Sequence, residues 1–215
     1  MKIQRLKSVR ETLSEVARTL YMLFGFPFLL LIGIALFFVV TTENSSGRVP
    51  GDSLGAVLIW AVIFLSVGMF VRGARSRRRI LKTATAAFRD PAYFDPDEGY
   101  EMYQQASGKY LGIDKANGTI LYIHSIRKGQ MDVMALTMDE WTNREVEGTN
   151  IFRLYTKYAD LPRIEIRTAW AQRWYDTLGA MQHKQYSTPK PFKQFAFERI
   201  ELLERDLKVH IPRLA

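Results

Sequence analysis

His124, His183 and His210 are the only histidines of this 215-residue chain, and it has no cysteine. The three stand far apart, without the paired spacing of a zinc site, and the lack of thiols removes thiolate metal ligands, disulfides and cysteine nucleophiles. Asp139-Glu140 and the alternating Glu145 and Glu147 could be drawn as a general acid and base. Two acids alternating about Arg144 are instead the pattern of a solvated strand face. No glycine loop of the G-x-x-x-x-G-K type is present to cradle phosphates, and no nucleophile elbow to expose a serine. The expectation is a protein that is not an enzyme, with no catalytic, cofactor-binding or metal-ligating set and no small-molecule substrate.

The residue types left over are those of recognition. Trp, Tyr and Arg are enriched where proteins bind one another, because each combines a large contact area with a polar handle. Trp141, Arg144, Arg153, Tyr155, Tyr158 and Arg167 fall within one stretch of the chain and form the candidate interaction surface. Core packing is the competing use of the same aromatics, and it also claims Tyr122, Phe152, Trp170, Trp174 and Tyr175.

The elements that must position these residues follow from charge and hydropathy. The formal net charge is +8, yet residues 83–215 hold 18 basic and 18 acidic side chains. The whole excess lies in residues 1–82. There Lys2, Arg5, Lys7, Arg10 and Arg18 precede an uncharged apolar run at 19–42, and Arg72, Arg75, Arg77, Arg78, Arg79 and Lys82 follow a second at 53–71. An α-helix needs about 20 apolar residues to cross about 30 Å of hydrocarbon, so both runs read as transmembrane helices. The first is too long for the apolar region of a cleaved signal peptide. Pro27 within it is expected to kink the helix near one end. Lys and Arg flanking spans stay in the cytoplasm, so the six basic residues after the second run are topology anchors and residues 43–52 make a short periplasmic turn. Directly after a span, that cluster is no sign of nucleic acid.

Residues 1–18 place Ile3, Leu6, Val9, Leu13 and Val16 at helical spacing opposite basic positions. This cytoplasmic amphipathic helix either lies on the anionic inner leaflet or packs on protein, its own domain or a second copy. Residues 72–107 read as a basic exit and a linker of one or two short helices, broken by Asp90-Pro91 and Asp95-Pro96. From Gly108 the period becomes that of strands. Residues 109–114 and 119–124 flank Lys115-Ala116-Asn117-Gly118, and Asn-Gly supplies the positive φ angles of a tight hairpin. Further strands are expected at 131–137, 142–147, 150–157 and 163–167. A helix follows, capped by Thr168, with Trp170, Trp174, Leu178 and Met181 as its buried stripe. Residues 184–215 hold a linker and a final helix at about 192–209, which packs on its own domain or pairs with another copy.

The fold class is therefore α+β: an N-terminal two-helix transmembrane hairpin, then a cytoplasmic antiparallel β-barrel or sheet domain over 108–183 with a capping helix, and a C-terminal helix. About six strands closed by one helix outline a pleckstrin-homology-like split barrel. Such a membrane-anchored module would bind lipid headgroups or scaffold another membrane complex.

Two N-terminal spans, the arginine-rich exit, the block from Gly108 to Ile123 (GKYLGIDKANGTILYI) and Trp170 to Asp176 (WAQRWYD) resemble the surface- or entry-exclusion proteins of IncI-type conjugative plasmids. The resemblance covers nearly the whole chain. It implies a multi-pass protein of the bacterial inner membrane, with both termini cytoplasmic, that blocks redundant uptake of a plasmid already present. Its implied partners are the lipid bilayer and a membrane protein of the incoming transfer apparatus, with a homo-oligomer open.

Overall fold

A computed structural model of the chain describes residues 13, 16, 17, 19–42, 52–105, 107–127 and 129–212. The amphipathic helix expected at 1–18 lies outside the described residues except for Leu13, Val16 and Ala17, and the turn at 43–52 except for Asp52. The chain divides into two compact units, Met1–Gly73 and Ala74–Ala215.

In the first unit, helix α1 (Phe26–Thr41) is entered through a π-helical turn, Tyr21–Gly25. Pro27 has no N–H to donate to the carbonyl four residues back. The backbone adapts by a wider loop, in which the Phe26 amide donates to the Tyr21 carbonyl. At the other end the Thr41 and Thr42 hydroxyls donate to the carbonyls of Phe37 and Phe38, 2.7 and 2.8 Å away. Helix α2 runs over Asp52–Phe88. Its first part meets α1 where Gly33 leaves room: a Cβ there would lie 3.1 Å from Ile63 Cδ1. A hydrogen bond of 2.7 Å joins Tyr21 Oη and Ser66 Oγ.

Elsewhere these helices present bare hydrocarbon: Phe28, Leu31, Phe38, Phe64 and Leu65 are all exposed. The most apolar stretch in Tyr21–Thr41 has a mean hydropathy of 2.8 with 6% of it buried, and that in Ser53–Phe88 has 2.5 with 11% buried. A core helix of a water-soluble protein is mostly buried. Both helices are long and apolar enough to cross a membrane.

The second unit begins with the last turns of α2, where Leu81, Ala84, Thr85 and Phe88 turn inward. The expected short helices of the linker are absent in that form. The α-helical period persists to Phe88, and a turn closed by Asp90 follows, whose carbonyl accepts the Tyr93 and Phe94 amides at 2.9 and 2.7 Å. A single 3-10 turn, Glu98–Tyr100, then leads into strand β1, Glu101–Gln104. Six more strands follow: β2 (Lys109–Asp114), β3 (Thr119–Arg127), β4 (Gln130–Thr137), β5 (Trp141–Glu147), β6 (Ile151–Thr156) and β7 (Arg163–Arg167). All neighbours are antiparallel, in two separate sheets ordered β1-β2-β3-β4 and β5-β6-β7. The expected barrel does not close.

The β2–β3 turn forms where Asn117-Gly118 calls for it, by a different device from the one expected. Only Gly118 takes a positive φ, 66°, and the loop is four residues long. Asp114 organises it: its buried carboxylate accepts the amides of Ala116 and Asn117 at 2.8 and 3.2 Å, the Asn117 side chain at 2.8 Å, and the Asp95 amide at 2.9 Å.

Helix α3 (Ala171–Met181) covers the three-stranded sheet, and α4 (Phe192–Leu207) packs on the four-stranded one. Trp174 is fully buried edge-on to Phe152, with Leu178 and Met181 beside it. Trp170, expected in that stripe, is 42% exposed because the helix begins one residue after it. Thr168 likewise accepts the Trp170 amide at 3.2 Å in a local turn and does not cap the helix. Along α4, Phe192, Phe195, Ala196, Ile200 and Leu203 join Leu81, Phe88, Phe94, Tyr110 and Ile123 in one core.

Candidate functional site

Five of the six candidate interaction residues are sorted by the faces of the second sheet. Register places Arg153 opposite Glu145 on one side and Glu165 on the other, Tyr155 opposite Asn143 and Arg163, and Ile151 opposite Glu147 and Arg167. Directly opposed residues share a face, so Arg153, Tyr155 and Arg167 stand together on the outer side. Arg153 is the hub. Its Nε donates to Glu165 at 2.9 Å, its guanidinium also meets Glu147, and Glu145 lies 3.8 Å away. The hydrogen bond to Arg153 holds Glu165 below the usual carboxylate range, and the same bond raises Arg153. The Tyr155 hydroxyl donates to Glu145 at 2.7 Å, which raises its own pKa.

Trp141 and Arg144 lie on the opposite, helix-covered side. Three positions apart, they would face opposite ways on a regular strand. A bulge between Trp141 and Asn143 inserts one residue against β6, so that Arg144 pairs with Leu154 and Val146 with Phe152, both inward. Arg144 thus enters the space under α3. Its guanidinium carbon stands 4.5 Å from the Tyr175 ring centroid and 5.6 Å from that of Trp141. Nη1 donates to Gln182 Oε1 at 3.2 Å. Gly179 provides the seat: a Cβ there would lie 2.4 Å from Nη2. That glycine has no positive φ, so the backbone does not demand it; its missing Cβ leaves the room that the end of the Arg144 side chain occupies. Arg144 Nε is buried with no acceptor, as is Nε1 of Trp141, a residue 5% exposed.

Tyr158 belongs to neither group. It follows β6, donates its hydroxyl to Glu140 and lies under Lys193, 4.9 Å from the ring. Burial first, then Glu140, holds that hydroxyl well above its ordinary range. The carboxylates that could be drawn as an acid–base pair have local work of this kind. Glu140 accepts the Thr137 amide at 2.8 Å and Asp139 accepts the Thr137 hydroxyl, closing the β4–β5 turn. Among the described residues no three His, Cys, Asp or Glu converge as metal ligands.

Gln182 also lines an open cleft of about 340 Å³ beside the β2–β3 turn, whose walls include Asn117, Thr137, Asp139, Lys184 and Tyr186. The ring of Tyr186 packs on Gly118, where a Cβ would lie 2.3 Å from it. Arg72, Arg75, Arg77, Arg78, Arg79 and Lys82, the expected topology anchors, are all exposed on α2.

The profile of the family described as "Exclusion-determining protein" matches residues 1–215. The chain belongs to that family. Neither a curated protein nor a solved structure matches it. The family's description is consistent with the surface- or entry-exclusion resemblance carried by residues 108–123 and 170–176. Sequence reasoning missed Tyr175, Gly179 and Gln182 as companions of Arg144. The available signal was a glycine inside an amphipathic helix, which costs helix stability and so calls for a spatial reason.

Proposed function

We propose that this chain is an inner-membrane exclusion protein, which blocks redundant conjugative transfer by recognising a component of the incoming transfer apparatus. The observation that carries this reading is the family match over all 215 residues, in a chain whose first unit has two helices fit to span a bilayer. The anchors Arg72 to Lys82 and the basic N-terminal stretch hold both flanks in the cytoplasm, with residues 43–52 on the periplasmic side. The second unit is then cytoplasmic. Its four-plus-three antiparallel strands followed by α3 support a pleckstrin-homology-like plan. The protein works by contact and without catalysis, through side chains of the second sheet.

A lipid-headgroup module is the competing use of such a domain. Residues 83–215 balance 18 bases against 18 acids, which leaves little attraction to an anionic surface. Mating frequency decides the matter. Recipients expressing the full chain are expected to take up the matching plasmid far less often than empty recipients, and to take up an unrelated plasmid normally. Equal uptake of the matching plasmid overturns the reading. A periplasm-active reporter inserted in 43–52 is expected to be active, and the same reporter after Ala215 silent.

A further inference from the structure

We infer that Arg144 is the receptor for an aspartate or glutamate side chain on the partner protein, so that the recognised segment is acidic. This rests on the exclusion reading above. Arg89, Arg153 and Arg199 meet acids within the chain: Arg89 reaches Asp95 and Glu101, Arg153 three glutamates and Arg199 Asp90. Arg144 has no ion pair among the described residues. The one side-chain hydrogen bond it makes among the described residues goes to the neutral oxygen of Gln182, and its Nε is buried without an acceptor.

A guanidinium is always charged, and its planar fork matches a carboxylate in two parallel hydrogen bonds. Here the fork is held before any ligand arrives: Tyr175 and Trp141 flank it, and Gly179 leaves it the space. Rigidity of this kind reduces the entropy lost on binding. Gln182 links the arginine to the 340 Å³ cleft, where a chain segment carrying the acid can lie. Lys184 on the cleft wall adds a second cation, and Asp139, the acid on that wall, is hydrogen-bonded by Thr137. A protein carboxylate is favoured over a lipid phosphate because residues 83–215 balance 18 bases against 18 acids, which leaves the unit little attraction to an anionic membrane.

Selection for escape tests this. Donor plasmids are mutagenised and those that enter recipients expressing the wild-type chain are sequenced. Escape is expected to replace Asp or Glu by a neutral or basic residue in one transfer protein. Arg144→Glu recipients are expected to admit the original plasmid and to exclude the lysine-bearing escapers at least tenfold, which also shows that the variant folds. Arg144→Gln, at matched membrane level, is expected to lose exclusion. The inference is overturned by Arg144→Gln recipients that exclude like wild type, by escape substitutions that spare acidic residues, or by Arg144→Glu recipients that exclude no escaper. A wild-type chain without effect on transfer overturns instead the exclusion reading on which the inference stands.

Discussion

Replacing Gly179 by alanine sets two effects of opposite sign against each other. Alanine in place of a helical glycine gains up to about 1 kcal/mol. The new Cβ would lie 2.4 Å from Arg144 Nη2, so the guanidinium must leave its seat. Leaving forfeits the stacking on Tyr175, worth roughly 0.5–1 kcal/mol at an exposed site, and the hydrogen bond to Gln182, worth roughly 0.5–1.5 kcal/mol. The sum runs from about zero to about 1.5 kcal/mol of destabilisation, or at most about 6 °C in Tm for a unit of this size. Recognition has no such compensation. Misplacing an anchor arginine costs about 2 kcal/mol of binding, about 30-fold in affinity. Gly179→Ala is therefore expected to melt near wild type, followed by near-ultraviolet ellipticity of the full chain in detergent, while transfer into cells carrying it rises at least tenfold. Undiminished exclusion at equal protein level refutes the reasoning, and so does a fall in Tm beyond about 10 °C, which would show that the glycine serves the fold.

Gly118→Ala is expected to destabilise the second unit by at least about 1–2 kcal/mol, because φ is 66° and the Tyr186 ring occupies the space a Cβ needs; thermal melting reads this directly. Trp174→Ala is expected to cost about 3–5 kcal/mol for the lost buried ring, and Trp174→Phe about 1 kcal/mol, since the Gly99 carbonyl then loses the indole donor 2.9 Å away. Glu165 has a folded pKa below its ordinary 4.5, so its pairing with Arg153 stabilises the fold above that pH and the benefit disappears as pH falls through the lowered value. Melting from neutral pH to about pH 3 is expected to show a shallower acid loss for Glu165→Gln than for wild type.

The legible parts of the fold were those with strong local grammar. Two long uncharged runs flanked by basic clusters read as helices long and apolar enough to cross a membrane, and Asn117-Gly118 between β-branched runs reads as a hairpin. β7 was read to the residue because Ile164 and Ile166 alternate with Arg163, Glu165 and Arg167. β1 was missed: Glu101-Met-Tyr-Gln is short, sits among Asp-Pro steps and gains its stability from pairing with β2, a tertiary effect. The end of α2 was missed because an arginine run looks like a boundary, yet contains no helix breaker before Phe88. Of the recognition residues, Arg153 and Tyr155 are on the face that simple alternation gives them. Arg144 is not, because the bulge that turns it inward has no proline or glycine to announce it.

That bulge also makes the strand readable in two phases. Removing Thr142 would take out the extra residue and leave regular alternation from Trp141, with Asn143 and the two glutamates still outward and Arg144 and Val146 still beneath α3. Closing the bulge with Thr142 kept in the ladder would instead slip the register by one residue, turning Arg144 and Val146 outward and Asn143 and the two glutamates beneath α3 without redrawing the sheet. Under the exclusion function proposed above, this one residue of slack is a coarse dial for changing which side chains a partner would meet.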